Sequence, residues 1–270
     1  MLVRLPPDID AMANRRDIRR GDRRRPATPA SAFAPPPLSR LDAQQLAEVA
    51  RQEGRTVALR VLTNDTEPAP ASKAAAAARD VALRLVRQAP LSQRHACRAG
   101  CAFCCHTSVT SAPTEALDIL QYLRENASAQ QLADVRDRTA ENAARAKGLF
   151  RAKYAAALVP CALLTTDGQC LVHPVRPLAC AGHMSFSREA CEAEFNRVPG
   201  RSAVPVDRQA MIGVLGVAHG LRDACQSVKR DGESYELHNA LLRLWDMRDA
   251  AQQWSTGAEL MQGCLRADAW

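Results

Sequence analysis

Residues 97–106 read Cys97-Arg-Ala-Gly-Cys101-Ala-Phe-Cys104-Cys105-His106, four thiols within nine residues. Isolated cysteines are common as small buried apolar residues, but packing alone does not call for this density. A second irregular stretch, 160–191, carries Cys161, Cys170 and Cys180 at gaps of eight and nine residues, with Cys191 further on. In a reducing compartment such clustering argues poorly for disulfides. Thiolate, however, is the ligand that soft and borderline metals favour. Two or three residues between thiolates let a turn bring both sulfurs to one ion while backbone amides point at them. Neither stretch completes a site alone, and two half-sites closed together do. Cys97, Cys101, Cys104, Cys105, Cys161, Cys170 and Cys180 are therefore the expected metal ligands.

The residues between these thiols support that reading. Gly100 and Gly168 each precede a cysteine and permit the backbone conformations of tight loops, and Pro174 and Pro177 restrict the approach to Cys180. Arg176 is placed to offset the charge of several thiolates, which otherwise repel one another. Adjacent side chains are expected to diverge, so Cys104 and Cys105 should divide their labour: one ligates, and the other serves a further metal position, an outer contact or a redox step. Cys191, His106, His173 and His183 lie beside the loops and stay open as ligands. Cys225 and Cys264 read as packing residues, and His219 and His238 as structural or exposed.

Working outward, the flanks are helical. Residues 41–52 have helical spacing at Leu41, Leu46 and Val49, and a second helix runs from an expected N-cap at Ser72 to Gln88. Thr114 is read as the cap of a third, with Glu115 and Asp118 in the first turn where the helix dipole favours acids. Ser128-Ala-Gln-Gln131 is a capping box opening a long helix to about Ala157. Two more helices are expected near 207–229 and 234–251. The reading is a mainly α protein, a small helical scaffold presenting two cysteine-rich metal-binding loops. It divides into an arm at 1–40, a helical segment at 41–90, the metal-binding domain at 91–255 and a tail at 256–270.

Charge is concentrated at the beginning. Residues 1–40 hold nine arginines against four aspartates, an excess of five out of the chain's net +7. With Pro26, Pro29 and the run from Pro35 to Pro37, this reads as a disordered, solvated arm. At most it makes weak contacts to RNA or anionic lipid. A folded nucleic-acid surface would keep its positive excess outside such a tail. No apolar stretch reaches the length of a membrane-spanning helix, and the first ten residues lack the apolar run of a secretory signal. The expected location is the cytoplasm. No Walker loop, dinucleotide fingerprint, zinc-protease helix or nucleophile elbow is present.

The spacing C-x3-C-x2-C at Cys97, Cys101 and Cys104, with Phe103 before the third thiol, resembles the cluster motif of radical S-adenosylmethionine enzymes. Those enzymes follow it with a strand-rich partial barrel, whereas 112–157 reads as helix. The spacing nevertheless places an iron–sulfur cluster ahead of zinc.

A broader resemblance covers 96–124 and 160–191. Its residues are Cys97, Cys101, Cys104, Cys105, Val109, Pro113 and Glu115, then Cys161, Cys170, Arg176-Pro177 before Cys180, and Ser185-Phe186 before Cys191. Glu233-Ser-Tyr235-Glu236-Leu237 with Ala240-Leu241 continues it. These resemble the YkgJ-like cysteine-cluster family, named for a CxxCxxCC signature. The resemblance implies chelation of iron or zinc, with no particular reaction. Flagellin lysine N-methylases carry a similar cluster, so methyl transfer to a protein substrate, a redox step with a partner protein and a non-catalytic zinc module all stay open.

Overall fold

The computed structural model describes residues 41–64, 69–88, 94–149, 151–200 and 203–266. The arginine-rich arm and the end of the C-terminal tail lie outside them. Helices dominate: α1 (Ala43–Leu62), α2 (Pro70–Gln88), α3 (Pro113–Asn126), α4 (Ala129–Gly148), α5 (Arg151–Ala157), α6 (Leu178–Ala181), α7 (Arg188–Phe195), α8 (Arg208–Ser227), α9 (Leu237–Trp245) and α10 (Ala250–Ser255). The sheet is one antiparallel pair, β1 (Thr110–Ser111) with β2 (Tyr235–Glu236). No helix among the described residues is long and apolar enough to cross a membrane.

Small residues set the packing of the first layer. In α2 the alanines Ala71, Ala74, Ala75, Ala78 and Ala82 are all buried, which lets neighbouring helices approach with little side chain between them. The approach is closest between α1 and α8. A Cβ at Gly216 would stand 2.5 Å from the Ala47 carbonyl oxygen, and one at Gly220 would stand 2.1 Å from that of Arg51. Both contacts are below van der Waals distance, so only glycine fits this backbone-to-backbone seam. Arg51 donates to Asp223 at 2.5 Å beside it. Larger side chains, among them Leu117, Leu120, Leu221, Leu241 and Trp254, fill the core on the far side of α2 and α8.

Several expected boundaries move. The helix read at 41–52 continues to Leu62, opened by a capping box in which Asp42 and Gln45 bond each other's backbone amides at 2.8 and 3.1 Å. The second helix begins at Pro70, so Ser72 lies inside it and is not its cap. Thr114 is not a cap either. Pro113 occupies the first turn of α3, the cap position is Ala112, and Glu115 reaches back to the Ala112 N–H at 2.8 Å. A proline there forfeits no helical hydrogen bond, which favours the earlier start. The long helix from 129 stops at Gly148, and α5 continues after it. The span expected as one helix at 234–251 is β2, α9 and α10. It is interrupted at Asp246 and restarts after Asp249, whose φ of 52° is left-handed.

Candidate metal centre

The first cysteine loop enters from Ala96, tightens into a single 3-10 turn at Phe103–His106 and leaves through β1. Its outer side is covered by aromatic contacts. Phe103 and His106 pack on Phe195 at centroid distances of 5.7 and 4.8 Å, and Arg188 lies 5.2 Å above the Phe103 ring. His106 also bonds the Ala102 carbonyl oxygen through Nδ1.

The second loop starts as a tight hairpin. Leu171 N–H donates to Leu163 O, and Thr165 N–H donates to Gln169 O. The reversal brings Cys161 and Cys170 to the same end of the hairpin, so a gap of eight residues in sequence becomes a short one in space. Gly168, at φ 77°, makes the turn and abuts the first loop, where an added Cβ would meet the Gly100 carbonyl oxygen at 3.3 Å. The loops are joined again where Cys161 N–H donates to Cys105 O at 2.8 Å and Ala96 N–H to Ser185 O at 2.8 Å.

Electrostatics shows which thiols face one another. Burial pushes the Cys180 thiol well above its ordinary pKa; Cys161, Cys104 and Cys170 add to the rise, and Arg176 opposes it. Cys170 is raised first by burial and then by Cys161 and Cys104. Cys104 is raised most by its hydrogen bond to Cys105 and next by burial. Cys104 is solvent-exposed as a residue. Cys104 and Cys105 follow one another in the 3-10 turn Phe103–His106.

Cys101 forms a second neighbourhood. Its thiol is raised by burial and then by Cys97, with further contributions from Cys104 and Cys191. The Cys97 sulfur receives the Ser185 N–H at 3.4 Å. These influences fall into two neighbourhoods, one of Cys104, Cys105, Cys161, Cys170 and Cys180 and one of Cys97, Cys101 and Cys191, with Cys104 felt in both. The histidines contribute less. His173 accepts from Arg176 through Nε2 at 3.1 Å, and His183 lines a separate cavity on the other side of Cys180. Cys225 is buried in the core, its pKa pushed up to about 12 chiefly by burial.

Buried polar groups outside the motif hold the second loop. Glu115 accepts Leu178 N–H at 2.7 Å as well as Ala112 N–H, tying α3 to the α6 turn that carries Cys180. Burial raises the Glu115 pKa against these bonds. Arg79 bonds Asp118 at 2.5 Å and the Arg176 carbonyl oxygen at 3.3 Å, which fixes the backbone of the arginine beside the thiols. Asn142 donates to Pro160 O at 2.8 Å, and Ala162 N–H points to His238 Nε2 at 3.2 Å. His238 is only 2% exposed and bonds Glu236 at 2.8 Å. These anchors were not legible as such: Glu236 stood out only within the Tyr235-Glu236-Leu237 resemblance, and His238 only as structural or exposed.

Among the described residues, no three metal-ligating side chains stand close enough to grip one ion. The donor chemistry nevertheless fits a thiophilic metal, because soft sulfur donors from two loops surround one another beside a guanidinium. An ion would have to draw the thiols inward and displace their protons.

Residues 96–198, spanning both loops, match the family CxxCxxCC, described as "Putative zinc- or iron-chelating domain". The match begins one residue before Cys97 and ends beyond α7, in keeping with the resemblance read from the cysteines. No curated protein and no solved structure matches the chain.

Proposed function

We propose that the two loops hold an iron–sulfur centre and that the chain serves a redox or cluster-assisted step in a reducing compartment, the cytoplasm. One observation carries the preference for iron. Eight cysteines, Cys97, Cys101, Cys104, Cys105, Cys161, Cys170, Cys180 and Cys191, lie on the two loops and the α7 helix that follows them. That is more than the four ligands that complete a structural zinc site, while iron–sulfur clusters are held by cysteine thiolates. When bound, such a centre supplies electron transfer. The chain's part is to fix the thiols, to offset their charge with Arg176 and to donate the Ser185 N–H to the Cys97 sulfur. The inner set of Cys104, Cys161, Cys170 and Cys180 alone would satisfy zinc, which makes a zinc-binding module the second reading.

The test is metal analysis with a visible spectrum on protein purified without air. Iron with acid-labile sulfide and a visible absorption band that bleaches with dithionite is the expected result. Stoichiometric zinc in a colourless protein would sink the redox reading and leave the zinc module. Binding of S-adenosylmethionine by the iron-loaded protein would move the function toward methyl transfer.

A further inference from the structure

Helix α7 presents Arg188, Cys191 and Phe195 on one face, because residues three and four apart stand above one another on a helix. The two ends of that row are seated on the first cysteine loop. Arg188 lies 5.2 Å above the Phe103 ring, and Phe195 packs on Phe103 and His106 at centroid distances of 5.7 and 4.8 Å. Cys191, between them in the row, therefore faces the same loop. The chain entering α7 is held there as well. Ser185 accepts Ala96 N–H on its carbonyl oxygen and gives its own N–H to the Cys97 sulfur, just before the Ser187 cap of the helix. Charge agrees with this placement. The Cys101 thiol is raised by burial first and then by Cys97, with Cys191 contributing, whereas Cys170 and Cys180, raised chiefly by burial, respond to Cys161 and Cys104.

His106 offers a fourth donor. Its Nδ1 stands 3.0 Å from the Ala102 carbonyl oxygen. A carbonyl oxygen only accepts, so Nδ1 carries the proton, and the lone pair of the neutral ring sits on Nε2. A backbone carbonyl on one ring nitrogen is the arrangement that orients an imidazole to bind metal through the other. The ring is held between neighbours of two thiols: Ala102 follows Cys101 in the chain, and Phe195, on which it packs, lies one helical turn from Cys191. We propose, resting on the reading of the loop thiols as metal ligands, that Cys97, Cys101, Cys191 and His106 form a second metal position, separate from the thiols around Cys180, and that it takes a single zinc or iron(II) ion. Three thiolates with one imidazole are a donor set of four-coordinate zinc, and imidazole suits iron as well. The guanidiniums divide in the same way. Arg176 opposes the rise at Cys170 and Cys180, while Arg98 follows Cys97 and Arg188 covers Phe103. As they stand the donors do not grip an ion, and binding would draw them together and displace the thiol protons.

The probe is cobalt(II), which enters sites of the same donors as zinc and iron(II) and reports thiolate and imidazole ligation by its colour. It is titrated without air into the full chain after a chelator has removed the metal. Two equivalents are expected to bind, in separable steps. Cys191→Ser should remove one step and leave the other unchanged, Cys97→Ser should do the same, and Cys170→Ser should remove the other step instead. His106→Gln should shift the ligand-field bands of the step that Cys191→Ser abolishes and leave the remaining bands in place. If Cys191→Ser does not fold, as judged by circular dichroism, Cys97→Ser and His106→Gln carry the test. A single equivalent in the wild-type chain, loss of both steps in folded Cys191→Ser, or an unchanged spectrum in His106→Gln would overturn the second position and leave the inner thiols as a metal centre. Absence of all cobalt binding would overturn it together with the reading of the thiols as ligands. Zinc in place of iron at the inner thiols would leave the second position intact.

Discussion

The two cysteine loops differ in what holds them. The loop at 97–106 is tied to its surroundings by backbone bonds to the other loop and by aromatic contacts on its outer face. The loop at 160–182 is gripped from below by Glu115, Arg79, Asn142 and His238, all buried and all reaching its backbone. Buried, hydrogen-bonded polar groups specify one geometry because leaving any of them unpaired is costly. The second loop is therefore held by buried polar side chains beneath it, and the first chiefly by backbone bonds and ring contacts.

The strongest way to break this comparison is Glu236→Ala. It strands His238 in the core and removes the support of Ala162, and a loss of about 3–5 kcal/mol is expected from stranding one member of a buried pair, read by chemical denaturation. Below neutrality the same group gives a pH signature. Burial works to raise the Glu236 carboxyl, but its bonds to His238 and Asn239 prevail and hold its pKa below the ordinary value. The stability it contributes is then present above the unfolded carboxylate pKa and disappears as pH falls through the lower folded one. Melting temperatures of the wild type should drop across that acidic window, and those of Glu236→Gln should drop less.

Next in size is Glu115→Gln. It keeps the shape but replaces a carboxylate that accepts two amide N–H groups, so a cost of about 1–3 kcal/mol is expected, with metal affinity lower by about 10–100-fold as for other groups that orient ligands. A chelator competition assay separates the two effects. Removing the metal with a chelator should sharpen the contrast further: amide exchange should accelerate strongly at 97–106 and only weakly at 160–182, and equal acceleration in both would show that the two loops are held alike. The smallest effect is expected at Arg136→Ala. Its pairing with Asp246 at 2.5 Å lies on the surface, where solvent screens it, and no measurable change in melting temperature or metal content should follow.

The thiol cluster was legible because its chemistry is local. Spacing of Cys97, Cys101 and Cys104 signals a ligand loop without knowledge of the fold, and the apolar periodicity of the helices is local as well. The anchors were not legible for the opposite reason. Glu115 reads as an acid in a first helical turn, and only the fold reveals that its second oxygen reaches Leu178, 63 residues away. His238 meets Ala162 across 76 residues. The later start of the helix expected at 234–251 has a similar origin: the buried Glu236 accepts the His238 and Asn239 amides and caps α9, while the break further on falls between Asp246 and the left-handed Asp249. The glycines of α8 are not interpreted by helical spacing alone, since Gly216 and Gly220 matter only once α1 is laid against them.

That glycine seam has a consequence for what counts as the unit of this protein. The part recognisable by sequence, 96–198, excludes α1, α2, α8 and α9, yet Gly182 in that part packs directly on Val214 of α8. Because α1 and α8 touch backbone to backbone, neither can be exchanged for an unrelated helix without reopening the wall behind Cys180. The stretch that carries the chemistry and the stretch that must be inherited intact are of different lengths. An excised 96–198 fragment should keep its thiols and lose their arrangement.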